Sequence, residues 1–202
     1  MPMGNPNNSG DPNNQSMTKK FRNKYRIATA RAQWWDYSNP GVYFITLCSY
    51  RHELLFGKIS TVPGEKPTFR ESPIGAIVLQ EWHKSFDIRK ELFCDAFVLM
   101  PNHLHAILRI DNSMPRVTKT IIRDNPSTGI AYRPPKSISS FVAGFKSAAT
   151  KKINVLRNTP GTPLWQPRFH DHIIRNMPEY QHIAEYINNN PANWPADRFN
   201  LQ

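Results

Sequence analysis

Residues 93–110, FCDAFVLMPNHLHAILRI, decide the fold. Phe93 to Met100 is a near-continuous apolar run, Pro101-Asn102 interrupts it, and His103 to Ile110 alternates. Two runs of strand length around a turn-forming pair predict two antiparallel strands, tightly joined. Upstream, Val42-Tyr43-Phe44-Ile45-Thr46-Leu47-Cys48 is rich in β-branched and aromatic residues and follows Asn39-Pro40-Gly41, which predicts a first buried strand. A short strand is expected within Leu54 to Ile59. Ile74, Ile77, Val78, Trp82 and Phe86 then recur at helical spacing behind Ser72-Pro73, a cap and a proline at the first helical position. Downstream, residues 111–135 carry four prolines and one glycine without a clean period and form a long loop or insertion. Ile138, Phe141, Val142, Phe145 and Ala149 mark a second helix. A third opens at Asn176 with Glu179 as a capping pair, carries Tyr180, Ile183, Ala184 and Ile187 as its apolar stripe, and stops ahead of Pro191. The order strand, helix, strand, strand, helix, helix predicts an α+β sandwich, a mainly antiparallel sheet with helices on one face.

The chain of 202 residues and 23.3 kDa has room for one domain of ordinary size with tails. Residues 1–18 hold almost no apolar side chain able to offset the entropy of ordering and read as a disordered tail. Residues 19–30 form a basic arm in which Lys19, Lys20, Arg22, Lys24 and Arg26 alternate with Phe21 and Tyr25, a composition that suits phosphate contact and base stacking and equally a solvated linker. An excess of 26 Lys+Arg over 15 Asp+Glu, a net charge of +11, suits a polyanion. No stretch approaches the roughly 20 apolar residues of a membrane helix, and the first residues lack the pattern of a secretory signal, so a cytoplasmic location is expected. Cys48 and Cys94 each lie in an apolar, strand-like run, which argues against a disulfide framework or a cysteine metal site.

Strand alternation sends His103 and His105 to one face and Leu104, Ala106 and Leu108 to the other. Two imidazoles at that spacing can converge on one metal ion, though such a pair is also common as a structural or exposed feature. On the last helix Tyr186 and Asn190 lie four residues apart, about 40° around the axis and on one side, with Tyr186 at the edge of the apolar stripe. A boundary tyrosine that packs its ring and bonds its hydroxyl would fit the same position. Lys146, Lys151 and Lys152 share the polar side of the second helix, where they either contact phosphates or face solvent. Arg168 and Arg175 are candidate phosphate contacts, Trp165 and Phe169 read as core, and Asp171 and His172 either support a metal site or pair with each other.

Across residues 31–200 the chain resembles the REP-associated tyrosine transposases, the single-tyrosine branch of the His-hydrophobe-His nucleases. The resemblance lies in Ala32-Gln33-Trp34-Trp35 with Gly41-Val42-Tyr43-Phe44, in Met100-Pro101-Asn102-His103-Leu104-His105, and in Gly144-Phe145-Lys146-Ser147. It continues in Trp165-Gln166-Pro167-Arg168-Phe169 with Asp171-His172-Ile173-Ile174-Arg175, and in Tyr186-Ile187 ahead of Asn190-Pro191. It implies a ferredoxin-like core, a divalent ion (Mg²⁺ or Mn²⁺) held by His103, His105 and Asn190, and Tyr186 as nucleophile. It also implies single-stranded or hairpin DNA as substrate, a nucleoid-associated protein, and a monomer or homodimer. A phenol with pKa near 10 needs a nearby cation to attack a phosphodiester at neutral pH, and the product would be a 5′-phosphotyrosyl link beside a free 3′-hydroxyl. The 111–135 insertion and the Asn/Pro-rich tail depart from the family pattern. A non-cleaving DNA-binding protein of the same fold is the alternative. A hydrolase that activates water at the histidine pair would want further carboxylate or histidine ligands nearby.

Overall fold

The computed structural model describes residues 35–111 and 135–200, together with the backbone of two short strands near the N-terminus. The tail expected over 1–18, the residues Lys19, Arg22 and Arg26, the side chains of Lys20 and Lys24, and all but the ends of the 111–135 insertion lie outside the described residues. The chain divides into two units, Met1–Ala30 and Arg31–Gln202. In the first, β1 (Lys20–Phe21) and β2 (Lys24–Tyr25) pair antiparallel, with Lys20 opposite Tyr25.

The second unit begins with β3 (Gly41–Cys48), a small hairpin of β4 (Gly57–Ser60) and β5 (Thr68–Glu71), and helix α1 (Pro73–Ile88). Then follow β6 (Leu92–Leu99), β7 (His103–Ile110), helix α2 (Ile138–Arg157), β8 (His170–Ile174) and helix α3 (Met177–Asn189). The main sheet has the order β6-β7-β3-β8, every neighbour antiparallel. Strand, helix, two strands, helix and strand in that order make a ferredoxin-like sandwich, the α+β class expected from the pattern. The short strand expected within Leu54 to Ile59 is β4, shifted to Gly57–Ser60 and paired with β5.

Local chemistry sets the helix ends. The Ser72 hydroxyl accepts from Gly75 N–H at 3.1 Å and donates to the Leu55 carbonyl at 2.6 Å, which caps α1 and ties it to the preceding loop. A Cβ at Gly75 would come within 1.9 Å of the Phe56 carbonyl oxygen, so only glycine permits this approach. Ser137 caps α2 and Asn176 caps α3, the latter accepting from Glu179 N–H at 2.9 Å as expected.

The main core joins α1 and α2 to one sheet face. Val78 and Trp82 of α1 and Phe141, Val142, Phe145 and Ala149 of α2 pack on Tyr43, Ile45, Leu47, Leu104, Ala106 and Leu108. Trp165 is buried in this core, and Phe169 packs against it. The expectation of helices on one face holds for these two. Helix α3 covers the opposite face, where Ile187, with Tyr180, Ile183 and Ala184, meets Val42, Phe44, Ala96, Val98 and Ile107. The physical reason is that β3, β6 and β7 are apolar on both faces, and each face needs a cover. Among the described residues no helix is long and apolar enough to cross a membrane.

Candidate active site

The face of β7 that looks toward α3 carries His103 and His105, 0 % and 1 % exposed. Their second nitrogens are fixed from the sheet and its turn. Thr46 stands directly opposite His105 across the β3–β7 ladder, and its Oγ1 lies 2.8 Å from His105 Nδ1. Asn102 lies in the turn before β7, and its Nδ2 donates to the His52 carbonyl at 3.1 Å and to the Phe199 carbonyl at 2.7 Å. That orientation leaves Asn102 Oδ1 facing His103 Nδ1 at 2.9 Å. An amide oxygen only accepts, so His103 carries its proton on Nδ1 and turns a lone pair outward at Nε2. Burial lowers the pKa of His103 to about 3 and of His105 to about 2, so both rings are neutral at physiological pH.

Helix α3 brings Tyr186 and Asn190 to the same place. The Tyr186 hydroxyl lies within hydrogen-bond reach of His105 Nε2, at 3.2 Å, and the residue is 36 % exposed at the edge of a cavity. Burial raises its pKa, as does the nearby Asp197 carboxylate, against the opposing influence of Asn190 and Arg198. Without a bound cation the phenol is therefore firmly protonated. Asn190, the C-cap of α3, is 0 % exposed and lies against His103. Its Nδ2 points to Asp197 Oδ2 at 3.4 Å, and its Oδ1 has no hydrogen-bond partner.

The segment after α3 completes the site, and the sequence reading missed it. A 3₁₀ turn at Trp194–Ala196 leads into Asp197, Arg198 and Phe199. The Phe199 and Trp194 rings lie 4.6 and 6.1 Å from that of His103. Asp197 Oδ2 lies 3.9 Å from His103 Nε2, and Arg198 lines the cavity of about 470 Å³ beside Phe44, His105, Tyr186, Asn190 and Asp197. This part of the chain has no periodicity and no motif, so only the fold reveals the carboxylate that the neighbourhood of His103 in sequence does not offer.

Among the described residues no group of three or more His, Cys, Asp and Glu side chains forms a ready metal cluster. The donor chemistry nevertheless fits a cation. Among the described residues His103 Nε2 and Asn190 Oδ1 are both buried without a hydrogen-bond partner; the Nδ1–H tautomer makes the first an acceptor, and an amide oxygen only accepts. Two lone pairs without a donor in one dry corner are costly unless a cation or proton lies between them. The imidazole orientation set by Asn102 and Thr46 is the support that metal-binding histidines require.

The candidate phosphate contacts lie elsewhere, since none of Lys146, Lys151, Lys152, Arg168 and Arg175 lines this cavity. Lys146 is committed internally, with Nζ donating to the Gln166 carbonyl at 2.7 Å and the Arg168 carbonyl at 3.1 Å, and burial lowers its pKa to about 8. Lys152 pairs with Glu81 of α1. Lys151, Arg168 and Arg175 are exposed. His172 Nε2 lies 2.7 Å from Glu179 Oε1.

No protein-family model matches the chain. It is 30 % identical over 183 residues to an uncharacterised protein of Haemophilus influenzae, an alignment that takes in 90 % of this chain and 98 % of that protein. It is 25 % identical over 114 residues to the REP-associated tyrosine transposase of Escherichia coli, over 52 % of this chain and about half, 53 %, of that protein. Among solved structures, a REP-associated tyrosine transposase bound to a REP hairpin superposes with a TM-score of 0.53 at 20 % identity, covering 83 % of this chain and 74 % of that one.

Proposed function

Because the chain belongs to one family with the Haemophilus influenzae protein and shares the fold of a REP-associated tyrosine transposase, we propose that it is a transposase-like enzyme, a metal-dependent single-strand DNA endonuclease and strand-transferase with Tyr186 as nucleophile. The observation that carries this reading is the approach of the Tyr186 hydroxyl to 3.2 Å from His105 Nε2, beside the unpartnered Nε2 of His103. The substrate is single-stranded or hairpin DNA, in keeping with the net charge of +11 and with the REP hairpin held by the structural neighbour. Residues 31–200 would form the catalytic domain and 19–30 an arm that touches DNA.

His103 and His105 would hold a divalent ion, Mn²⁺ or Mg²⁺, through Nε2, with the Asn190 amide oxygen beside them. Bound there, such an ion would supply Lewis-acid polarisation of the scissile phosphate. Burial keeps the two rings neutral, and Asn102 and Thr46 hold them correctly turned. Phe44 stacks on His105 with ring centroids 5.2 Å apart and meets Tyr186 edge-on at 6.4 Å, which limits where the phenol can swing. Arg198 gives the cavity a positive wall for phosphate oxygens. Attack by the Tyr186 oxygen on phosphorus forms the tyrosyl–phosphate bond and breaks the bond to the 3′ oxygen. The phenol loses its proton and the leaving 3′-hydroxyl gains one. A 5′-phosphotyrosine results, and attack on it by a 3′-hydroxyl reverses the step and rejoins DNA.

The test is a nicking assay on an end-labelled hairpin with a single-stranded flank. Cleavage is expected with Mn²⁺ and lost in His105→Ala. Wild-type rates in His105→Ala would contradict the reading, and Mn²⁺-dependent cleavage that leaves no protein on the DNA would point to water as nucleophile.

A further inference from the structure

Asp197 is a buried carboxylate set beside the histidine pair. Its side chain is 3 % exposed, its Oδ2 faces His103 Nε2, and Arg198, next in the chain, lines the same cavity. A carboxylate oxygen and an imidazole lone pair that face each other across a buried gap repel unless a cation lies between them. The two oxygens are used differently. Oδ1 accepts from Phe199 N–H at 2.7 Å, which orients the group, and Oδ2 is left with only the long 3.4 Å contact from Asn190 Nδ2.

Oδ2 lies 3.9 Å from His103 Nε2. Two donors at about 2.1 Å from one ion, separated by 90–110°, stand roughly 3.0–3.4 Å apart. The present separation is therefore an ångström or less from joint ligation, within the adjustment of a carboxylate. The segment is tied to the histidine turn by a bond already in place, since Asn102 Nδ2 donates to the Phe199 carbonyl while Asn102 Oδ1 holds His103 Nδ1. One amide thus sets both the lone pair of His103 and the position of the segment bearing Asp197.

We propose that Asp197 is a further protein ligand, beside the Asn190 amide oxygen, of the divalent ion held at His103 and His105, which makes the segment after α3 part of the metal centre. Two imidazoles and one carboxylate form a mixed donor set that suits Mn²⁺ and offsets one of the ion's two charges. The proposal rests on the reading of His103 and His105 as a metal site, and the experiment separates the two.

Mn²⁺ is titrated into the full chain without DNA by calorimetry, with free Mn²⁺ followed by its paramagnetic resonance signal. Wild type, His103→Ala, Asp197→Asn and Asp197→Glu are compared, and far-ultraviolet circular dichroism reports their folding. Asp197→Asn retains an acceptor for Phe199 N–H but loses the charge, and Asp197→Glu retains the charge. The expected result is saturable binding by wild type, its loss in His103→Ala, affinity weakened about tenfold or more in Asp197→Asn, and recovery to within a few-fold in Asp197→Glu. Unchanged or tighter binding in Asp197→Asn, with His103→Ala still defective, overturns the role of Asp197 and leaves the histidine site standing. Binding by His103→Ala equal to wild type overturns both. If Asp197→Asn does not fold, the glutamate variant decides, since a carboxylate that serves only packing predicts no preference for the charged replacement.

Discussion

Asn102, Thr46, His103 and His105 form a fixed hydrogen-bonded arrangement whatever ion the histidines hold. Each histidine spends one nitrogen on a fixed neighbour and turns the other toward α3 and the segment that follows it. The ordinary imidazole pKa is near 6.5, and burial moves these two down to about 3 and about 2. Between those values and 6.5 the unfolded chain binds protons that the folded chain refuses, so stability increases with pH across that window. The contribution is complete above about pH 6.5 and is lost as pH falls toward 3. The urea midpoint should therefore drop from pH 7.5 to pH 5, and the drop should be smaller in His105→Asn. A midpoint equal at the two pH values in wild type would show that the rings are not buried neutral. At this scale the sequence allowed His103, His105, Tyr186 and Asn190 to be proposed, because strand alternation and helical spacing each fix relative direction. Asp197 and Arg198 were invisible, since a segment with no period carries no directional signal until the fold places it.

Helices α2 and α3 illustrate what periodicity can and cannot say. The apolar stripe of each was legible, and all five positions named for α2 are buried. Which sheet face a stripe would cover was not, because a strand apolar on both sides accepts a helix on either. The polar side of α2 is likewise not uniform. Lys146 satisfies two carbonyls of the 166–168 segment, while Lys151 on the next turn is exposed. Lys146→Ala should therefore lower stability by roughly 1 kcal/mol, the net worth of bonds to one part-buried and one exposed carbonyl, with little change in affinity for DNA. Lys151→Ala should do the reverse, leaving the thermal midpoint unchanged and reducing the salt slope of DNA binding by about one unit. Thermal unfolding and binding at two salt concentrations, measured on both variants, decide the assignment. An unaltered midpoint in Lys146→Ala would return that lysine to the phosphate-binding set.

For the whole molecule, the net charge of +11 is the largest single fact available without a structure. Binding to a single-stranded or hairpin DNA should weaken steeply between about 50 and 200 mM salt, and removal of residues 1–30 should flatten the slope. Fluorescence anisotropy across that range checks both, and a slope near zero would remove nucleic acid as the partner. On the proposed reading the ferredoxin-like sheet would hold the donors and the tyrosine helix would deliver the hydroxyl. The measurement that tests this most directly is mass-spectrometric mapping of the peptide that becomes covalently attached to DNA in the presence of Mn²⁺. In wild type the adduct should map to Tyr186, and Tyr186→Phe should form no adduct. That variant should bind Mn²⁺ at least as well as wild type, because it removes the contact of the Tyr186 hydroxyl with His105 Nε2. An adduct mapped to another tyrosine, or one that persists in Tyr186→Phe, would contradict the account.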